Sequence, residues 1–197
     1  MEIYTLNCNK NNKRELTERY RKINFVSDFV EDASPINVIK QFLETTSEYC
    51  VISDSNVYLH LEFKQMMLYA LEYLMEHNLD LVLLGYLIHK SPEHFGELLD
   101  NPSVPTVKFY NYDSKKLWGT SSYLITRSYA TRLLEEYLLD YSLEDRFDYT
   151  VTKSTEKRCF IYPPLAVGYP DTESEDQGEI WFQRTSSGFL FDPLLYI

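Results

Sequence analysis

Short apolar runs alternate with helical patterns along the first part of the chain. Residues 3–6 open the chain as a strand, and residues 49–52 form a continuous apolar run that is typical of a strand buried on both faces of a sheet. Between them, residues 11–22 place apolar side chains at helical spacing. Ser34-Pro35 predicts the start of a second helix, because Ser is a good N-cap and Pro fits the first helical turn.

The same alternation continues to about residue 162. The strongest helical pattern begins at Phe63, and residues 79–84 form the next apolar run, which Gly85 closes. Residues 91–105 contain three prolines and are predicted to be a loop. Further strands are predicted at residues 107–110, 121–125 and 160–162, with a helix around residues 130–138. Strands that alternate with helices predict an α/β fold with a mostly parallel sheet and helices on both faces.

The composition fits one ordinary globular domain. The chain has 197 residues, of which 44% are hydrophobic and 25% charged, and it has no uninterrupted apolar run of the ~18 residues that a membrane helix needs. The first residues lack the basic start and apolar run of a secretory signal. We therefore expect a cytoplasmic protein without a transmembrane segment, or a domain of a larger chain.

Charge and cysteine content narrow the classes of partner. The formal net charge of −11 argues against a nucleic-acid partner, because such binders neutralise phosphates with Lys and Arg. A nucleotide-sugar remains possible, since backbone amides, one or two basic side chains or a divalent cation can neutralise its diphosphate. The three cysteines, Cys8, Cys50 and Cys159, have no zinc-like spacing and are expected to be reduced, buried thiols.

A polar triplet, Asp54-Ser55-Asn56, follows the apolar run at residues 49–52. Ligands of open parallel sheets bind outside the carboxyl ends of the strands, which is where this pattern puts the triplet. Two oxygen ligands one residue apart can hold one hard cation, Mn²⁺ or Mg²⁺, that bridges the diphosphate of a nucleotide. Asp, Ser and Asn are also the residues of ordinary turns after strands, so the triplet alone leaves both interpretations open.

Six segments, in order along most of the chain, are similar to the motifs of one enzyme family. They are Leu6-Asn7 followed by Arg14, CVISDSNV at residues 50–57, LDLVLLG at residues 79–85, GTSSYLIT at residues 119–126, FDY at residues 147–149 and YPPLA at residues 162–166. With these segments the chain resembles a divergent member of glycosyltransferase family 25, the lipopolysaccharide and collagen galactosyltransferase group.

The resemblance implies a fold, a reaction and a donor site. The fold would be of GT-A type, a single domain over residues 1–197 with a donor-binding part at about 1–90 and acceptor-side and closing elements at about 91–197. The reaction would be inverting, metal-assisted transfer of a hexose from a UDP-sugar to a hydroxyl of a glycan, lipid-linked sugar or protein. The implied donor-binding residues are Asn7, Arg14, Asp54, Ser55 and Asn56, and the implied ligands for Mn²⁺ or Mg²⁺ are Asp54 and Asn56.

The resemblance also singles out Asp148 as the catalytic base. Partial desolvation would raise the pKa of a carboxyl group and make its carboxylate a better base for the acceptor hydroxyl. Asp148 follows a predicted helix and is flanked by the apolar rings of Phe147 and Tyr149. An Asp that caps a helix or is solvated beside Asp145 explains the pattern equally well. Arg14 could likewise contact donor phosphate or lie on an exposed helix face.

Departures from the family pattern supply a rival interpretation. The family's acidic triplet stands here as Asp54-Ser55-Asn56, so metal affinity should fall, and the region that shapes the acceptor site is short. A degenerate domain that binds a nucleotide-sugar or a protein partner without turnover fits these departures. The acidic residues at 171–176 are expected to form a solvated loop or to lie near the donor. Tyr86 and Tyr123 could stack on a base or sugar.

Overall fold

In the computed structural model, the described residues are 1–8, 10–31, 34–87, 92–99, 107–140, 147–168 and 193–197. The strands within these ranges are β1 (Glu2–Leu6), β2 (Asp28–Phe29), β3 (Tyr49–Asp54), β4 (Val57–Leu59), β5 (Leu81–Leu87), β6 (Lys108–Tyr110), β7 (Trp118–Thr126), β8 (Arg158–Tyr162) and β9 (Ala166–Gly168). The helices are α1 (Lys10–Lys22), α2 (Pro35–Glu44), α3 (Phe63–Glu76), α4 (Pro92–Phe95), α5 (Arg127–Leu139) and α6 (Phe147–Lys153).

The strands form one mixed sheet in the order β2-β1-β3-β7-β5-β8-β6, with β4 and β9 paired beside β5. Strands β1, β2, β3, β5, β8 and β9 run in one direction, and β7 runs against its neighbours β3 and β5. The carboxyl ends of the six parallel strands therefore meet at one edge of the sheet, which we call the carboxyl edge; the opposite edge is the amino edge. The predicted mostly parallel sheet is confirmed.

Helices cover both faces of the sheet, as predicted. The apolar side chains of α1 and α3 pack on one face with Val51 of β3. Those of α2, α5 and α6 pack on the other face with Cys50 and Ile52 of the same strand. A strand buried on both faces must be apolar at successive positions, which explains the continuous run at residues 49–52.

Gly85 does not end β5, as the sequence pattern predicted, but lies inside it. The strand continues to Leu87, with a register irregularity on either side of Gly85. A Cβ atom at Gly85 would lie 2.7 Å from the backbone oxygen of Ala166 in β9. Glycine is therefore required by the close approach of β9 rather than by a turn.

Three short strands and two short helices, α4 and α6, were not predicted. β2, β4 and β9 have two or three residues each, too few to show a period of two. The helix α4 lies in the segment predicted to be a loop, whose residues 91 and 100–105 are outside the described part of the chain.

Among the described helices, none is long and apolar enough to cross a membrane.

Candidate functional site

The polar triplet lies at the carboxyl edge, where its sequence pattern placed it. Strand β3 ends at Asp54, and residues 55–56 make the turn into β4. The backbone N–H of Asn56 donates to Oδ1 of Asp54 at 3.0 Å, a local hydrogen bond typical of an Asx turn. The Asp54 side chain is half-buried, whereas Asn56 is exposed.

Asn7 joins the end of β1 to the triplet. Its φ of 56° is left-handed, a conformation that Asn adopts more readily than most residues, and it turns the chain directly after β1. Its Nδ2 donates to Oδ2 of Asp54 at 3.3 Å, and Oγ of Ser55 donates to its backbone oxygen at 2.9 Å. The structure therefore brings together Asn7, Asp54, Ser55 and Asn56, four of the five predicted donor-binding residues.

Asn12 in the first part of α1 extends this network and was not predicted. Its Nδ2 donates to Oγ of Ser55 at 3.5 Å, and its Oδ1 accepts from the Cys8 thiol at 3.4 Å. Burial raises the pKa of Cys8, so the thiol keeps its proton and remains a donor. Asn12 stands in a polar run at residues 9–13, where its sequence context gives no signal that separates it from its neighbours.

Arg14 lies on the exposed side of α1. Its side chain is 89% exposed and pairs with Glu18 at 3.5 Å, one helical turn further along. Residues two apart on a helix point to different sides, so the helix that turns Asn12 toward Ser55 turns Arg14 away from it. A contact between Arg14 and donor phosphate stays a prediction.

Asp148 follows the predicted helix, which is α5, and is the second residue of a further helix, α6, that was not predicted. The last turns of α6 are held by Tyr129, whose hydroxyl donates to the Val151 oxygen at 2.6 Å, and by Arg158, whose Nη1 donates to the Thr152 oxygen at 2.8 Å. The Asp148 side chain, Asp145 and the acidic run at residues 171–176 lie outside the described part of the structure. The role of Asp148 therefore stays a prediction.

Tyr86 and Tyr123, expected as possible stacking platforms, are core residues. They are 5% and 2% exposed, respectively. The Tyr86 hydroxyl donates to the Ile161 oxygen at 2.7 Å, and burial raises its pKa well above the usual value. Neither ring presents a face to a ligand at the surface.

The triplet offers too few oxygen ligands to hold a cation unless a bound nucleotide supplies further ones. Within the described residues, no group of three or more His, Cys, Asp or Glu side chains could hold a metal ion. Asp54 offers one carboxylate, which suits Mg²⁺ or Mn²⁺ held jointly by a protein carboxylate, phosphate oxygens and water. Cys8, Cys50 and Cys159 are buried thiols, as predicted.

A separate cleft is lined by residues of α4, of the segment between β6 and β7, and of the start of β8. It has a volume of about 510 Å³, and its lining includes Glu93, Asp113, Lys116 and Arg158. Arg158 begins β8 and so marks the edge opposite to the triplet. The side chain of Arg158 is 8% exposed, and its Nη1 donates to carbonyl oxygens at the end of α6. This cation therefore has a structural role in joining α6 to β8.

No family model and no curated protein matches the chain. Solved structures similar to it include S. aureus TarS 1-349, at 16% identity over 86% of this chain and 51% of that chain, with a TM-score of 0.49. A glycosyltransferase involved in the glycosylation of the major capsid of PBCV-1 is 17% identical over 89% of this chain and 98% of that chain, with a TM-score of 0.48.

A third similar structure is the mannose-1-phosphate geranyltransferase from Thermus thermophilus. It is 12% identical over 86% of this chain and 75% of that chain, with a TM-score of 0.44. The chain spans about half the length of the TarS 1-349 structure. At these identities the likeness concerns the course of the backbone and assigns no role to any side chain.

Proposed function

We propose that this chain is a glycosyltransferase domain of GT-A type that binds a UDP-sugar at the carboxyl edge and transfers its hexose to a hydroxyl acceptor. The observation that carries the proposal is the bonded set of Asn7, Asp54 and Ser55, which joins the ends of β1 and β3. Ligands of open α/β sheets bind outside the carboxyl ends of the strands. The six family-like segments in the sequence point to the same reaction.

Asp54 is the charged group of the proposed donor site. Asp54 and Asn56 would hold Mn²⁺ or Mg²⁺ together with the diphosphate of the donor. The cation, when bound, neutralises the diphosphate and stabilises it as the leaving group. Because Asn56 supplies a neutral amide oxygen in place of a carboxylate, metal affinity should be weaker than at a site with two carboxylates.

Asp148 is the proposed base for the transfer. The acceptor oxygen attacks the anomeric carbon as the bond from that carbon to the diphosphate oxygen breaks, and UDP leaves. The acceptor's proton passes to the Asp148 carboxylate, and the attack from the opposite side inverts the configuration at the anomeric carbon.

A degenerate binding domain is the second candidate. The observation in its favour is that the triplet has a single carboxylate. Among the described residues, no three His, Cys, Asp or Glu side chains form a possible metal site. Such a domain would keep the nucleotide-sugar site, or bind a protein partner, without turnover.

Thermal unfolding with a panel of nucleotides and nucleotide-sugars, with and without Mn²⁺, tests the proposal. A ligand specific to the native state should add about 2.7 kcal/mol of stability at a hundredfold excess over its Kd. We expect the shift with UDP and UDP-sugars and a smaller one with guanosine and cytidine analogues. No shift with any uridine nucleotide overturns donor binding. Binding without UDP release, even with acceptor sugars present, favours the degenerate domain.

A further inference from the structure

The segment at residues 193–197, which we call the tail segment, pairs with β4 next to the triplet. The amide of Leu59 donates to the Ile197 oxygen and the amide of Ile197 donates to the Leu59 oxygen, both at 2.9 Å. The amide of Leu61 donates to the Leu195 oxygen at 2.7 Å. Since β9 pairs with the other side of β4, this three-residue strand is held from both sides.

Arg19 of α1 joins β4 to the tail segment. Its Nη2 donates to the Val57 oxygen at 2.7 Å and to the Ile197 oxygen at 2.9 Å, while its guanidinium lies 4.9 Å from the centre of the Tyr58 ring. Val57 directly follows Asn56. One cation therefore holds the chain where it leaves the triplet.

The triplet is held at both of its ends. At the start, the amide of Ser55 donates to the Leu6 oxygen at 3.0 Å, in addition to the contacts of Asn7. At the exit, the Val57 carbonyl accepts from Arg19. Charge-assisted hydrogen bonds are about twice as strong as neutral ones, and a planar guanidinium loses less freedom than an ammonium when it makes them.

We propose that Arg19 is a positioning residue of the candidate site. By holding the Val57 carbonyl and the tail segment, Arg19 fixes the backbone of residues 54–56 without itself contacting the ligand. That Arg19 fixes the turn at residues 54–56 is inferred from its contacts alone, whereas an effect of Arg19 on nucleotide affinity rests on the proposed function.

The first test compares Arg19→Gln, Arg19→Lys and the control Arg21→Gln without nucleotide. Arg21 is exposed in the last turn of the same helix, so its substitution removes the same charge from α1. NMR should show changed chemical shifts at residues 54–56 and about tenfold faster amide exchange at Leu59 and Leu61 in Arg19→Gln. The amides of the β3 core should be unchanged, Arg19→Lys should be intermediate, and Arg21→Gln should match the wild type.

The second test measures the Kd of UDP for the same variants. We expect about tenfold weaker binding by Arg19→Gln, because a turn that Arg19 no longer fixes has to be ordered when the ligand binds, and wild-type affinity for Arg21→Gln. Unchanged shifts at residues 54–56 despite faster exchange at Leu59 and Leu61 would overturn the positioning role. If the wild type binds no uridine nucleotide, the proposed function fails, but the shifts still decide the role of Arg19. If Arg19→Gln does not fold, the NMR comparison and the Kd measurement are made with Arg19→Lys instead.

Discussion

At the scale of single residues, Asp54 is oriented before any ligand arrives. Its Oδ1 accepts from the Asn56 amide and its Oδ2 accepts from the Asn7 side chain. A carboxylate held by neighbouring donors loses little further freedom on binding, which favours affinity. The site's charge therefore depends on Asp54, and Asn56 can add only a neutral oxygen.

Replacing Asp54 should separate binding from folding. We expect Asp54→Ala to abolish the stabilisation by uridine nucleotides, because it removes the charge for cation or ribose, while the melting temperature without ligand changes little. Asn56→Asp should increase the dependence of binding on Mn²⁺, since a second carboxylate strengthens the cation site. Thermal unfolding with and without Mn²⁺ measures both, with Asp28→Ala, an exposed carboxylate on β2, as the control. If neither Asp54→Ala nor Asn56→Asp changes nucleotide binding, the donor pocket lies elsewhere.

Residues of α1 show why the sequence predicted part of the site and missed the rest. Arg14 was singled out by resemblance, yet the contacts beside the triplet come from Asn12 and Arg19. Residues seven apart on a helix lie on the same side, so Asn12 and Arg19 share the face toward β3 and β4. Neither residue interrupts the hydrophobic pattern of α1. Their partners, a hydroxyl and a thiol for Asn12 and two backbone carbonyls for Arg19, cannot be identified from the sequence alone.

At the scale of elements, length decided which strands were predictable. The continuous run at residues 49–52 predicted β3 correctly, because a strand buried on both faces has a distinctive composition. β4, with three residues, has no such signal and is held by β9, Arg19 and the tail segment. The tail segment itself is apolar but unpatterned in sequence, and its role becomes visible only through its pairing with β4.

His60, which follows β4, is expected to make the pairing of the tail segment sensitive to pH. Its Nδ1 accepts from the amide of Glu62 at 3.0 Å, and its ring lies edge-on to Tyr196 at 5.2 Å. Burial lowers the pKa of His60 below its usual 6.5, while the Glu62 carboxylate opposes this shift. A lowered folded-state pKa contributes stability that is fully present above the unfolded value of 6.5 and is lost as pH falls through the folded value.

We therefore expect amide exchange at Leu59 and Leu61 to quicken, and the melting temperature to fall, as pH decreases from 7 to 5. In His60→Asn, whose side-chain oxygen can accept from the Glu62 amide without titrating, this component of the pH dependence should disappear. The measurement is the difference in melting temperature between wild type and variant across that range, with the exposed His77→Asn as the control. Parallel pH profiles for the wild type and His60→Asn would contradict the assignment.

At the scale of the whole molecule, the fold class was predictable but the antiparallel direction of β7 was not. Alternating strand and helix patterns predicted the layers, and the helices lie on both faces as expected. β7 lies between β3 and β5 and runs antiparallel to both. Because a strand buried on both faces has the same composition in either direction, the sequence did not show this. Asp80, inside one family-like segment, lies at the amino edge, where its Oδ2 accepts from Arg132 and Thr155 at 2.6 and 2.7 Å. That segment thus marks a structural contact rather than a donor contact.

The proposed transfer requires a base, and our candidate is Asp148 in the first turn of α6. Asp148→Asn is nearly isosteric and leaves the bonded set around Asp54 intact, so nucleotide-induced stabilisation should be unchanged. Transfer should fall by about 10²–10⁴-fold, the usual cost of a missing general base. The measurement is UDP release from a panel of UDP-hexoses with acceptor sugars, comparing wild type and variant at equal donor occupancy. Undiminished release by Asp148→Asn would remove this residue from the mechanism and direct attention to Asp145 and the acidic residues at 171–176.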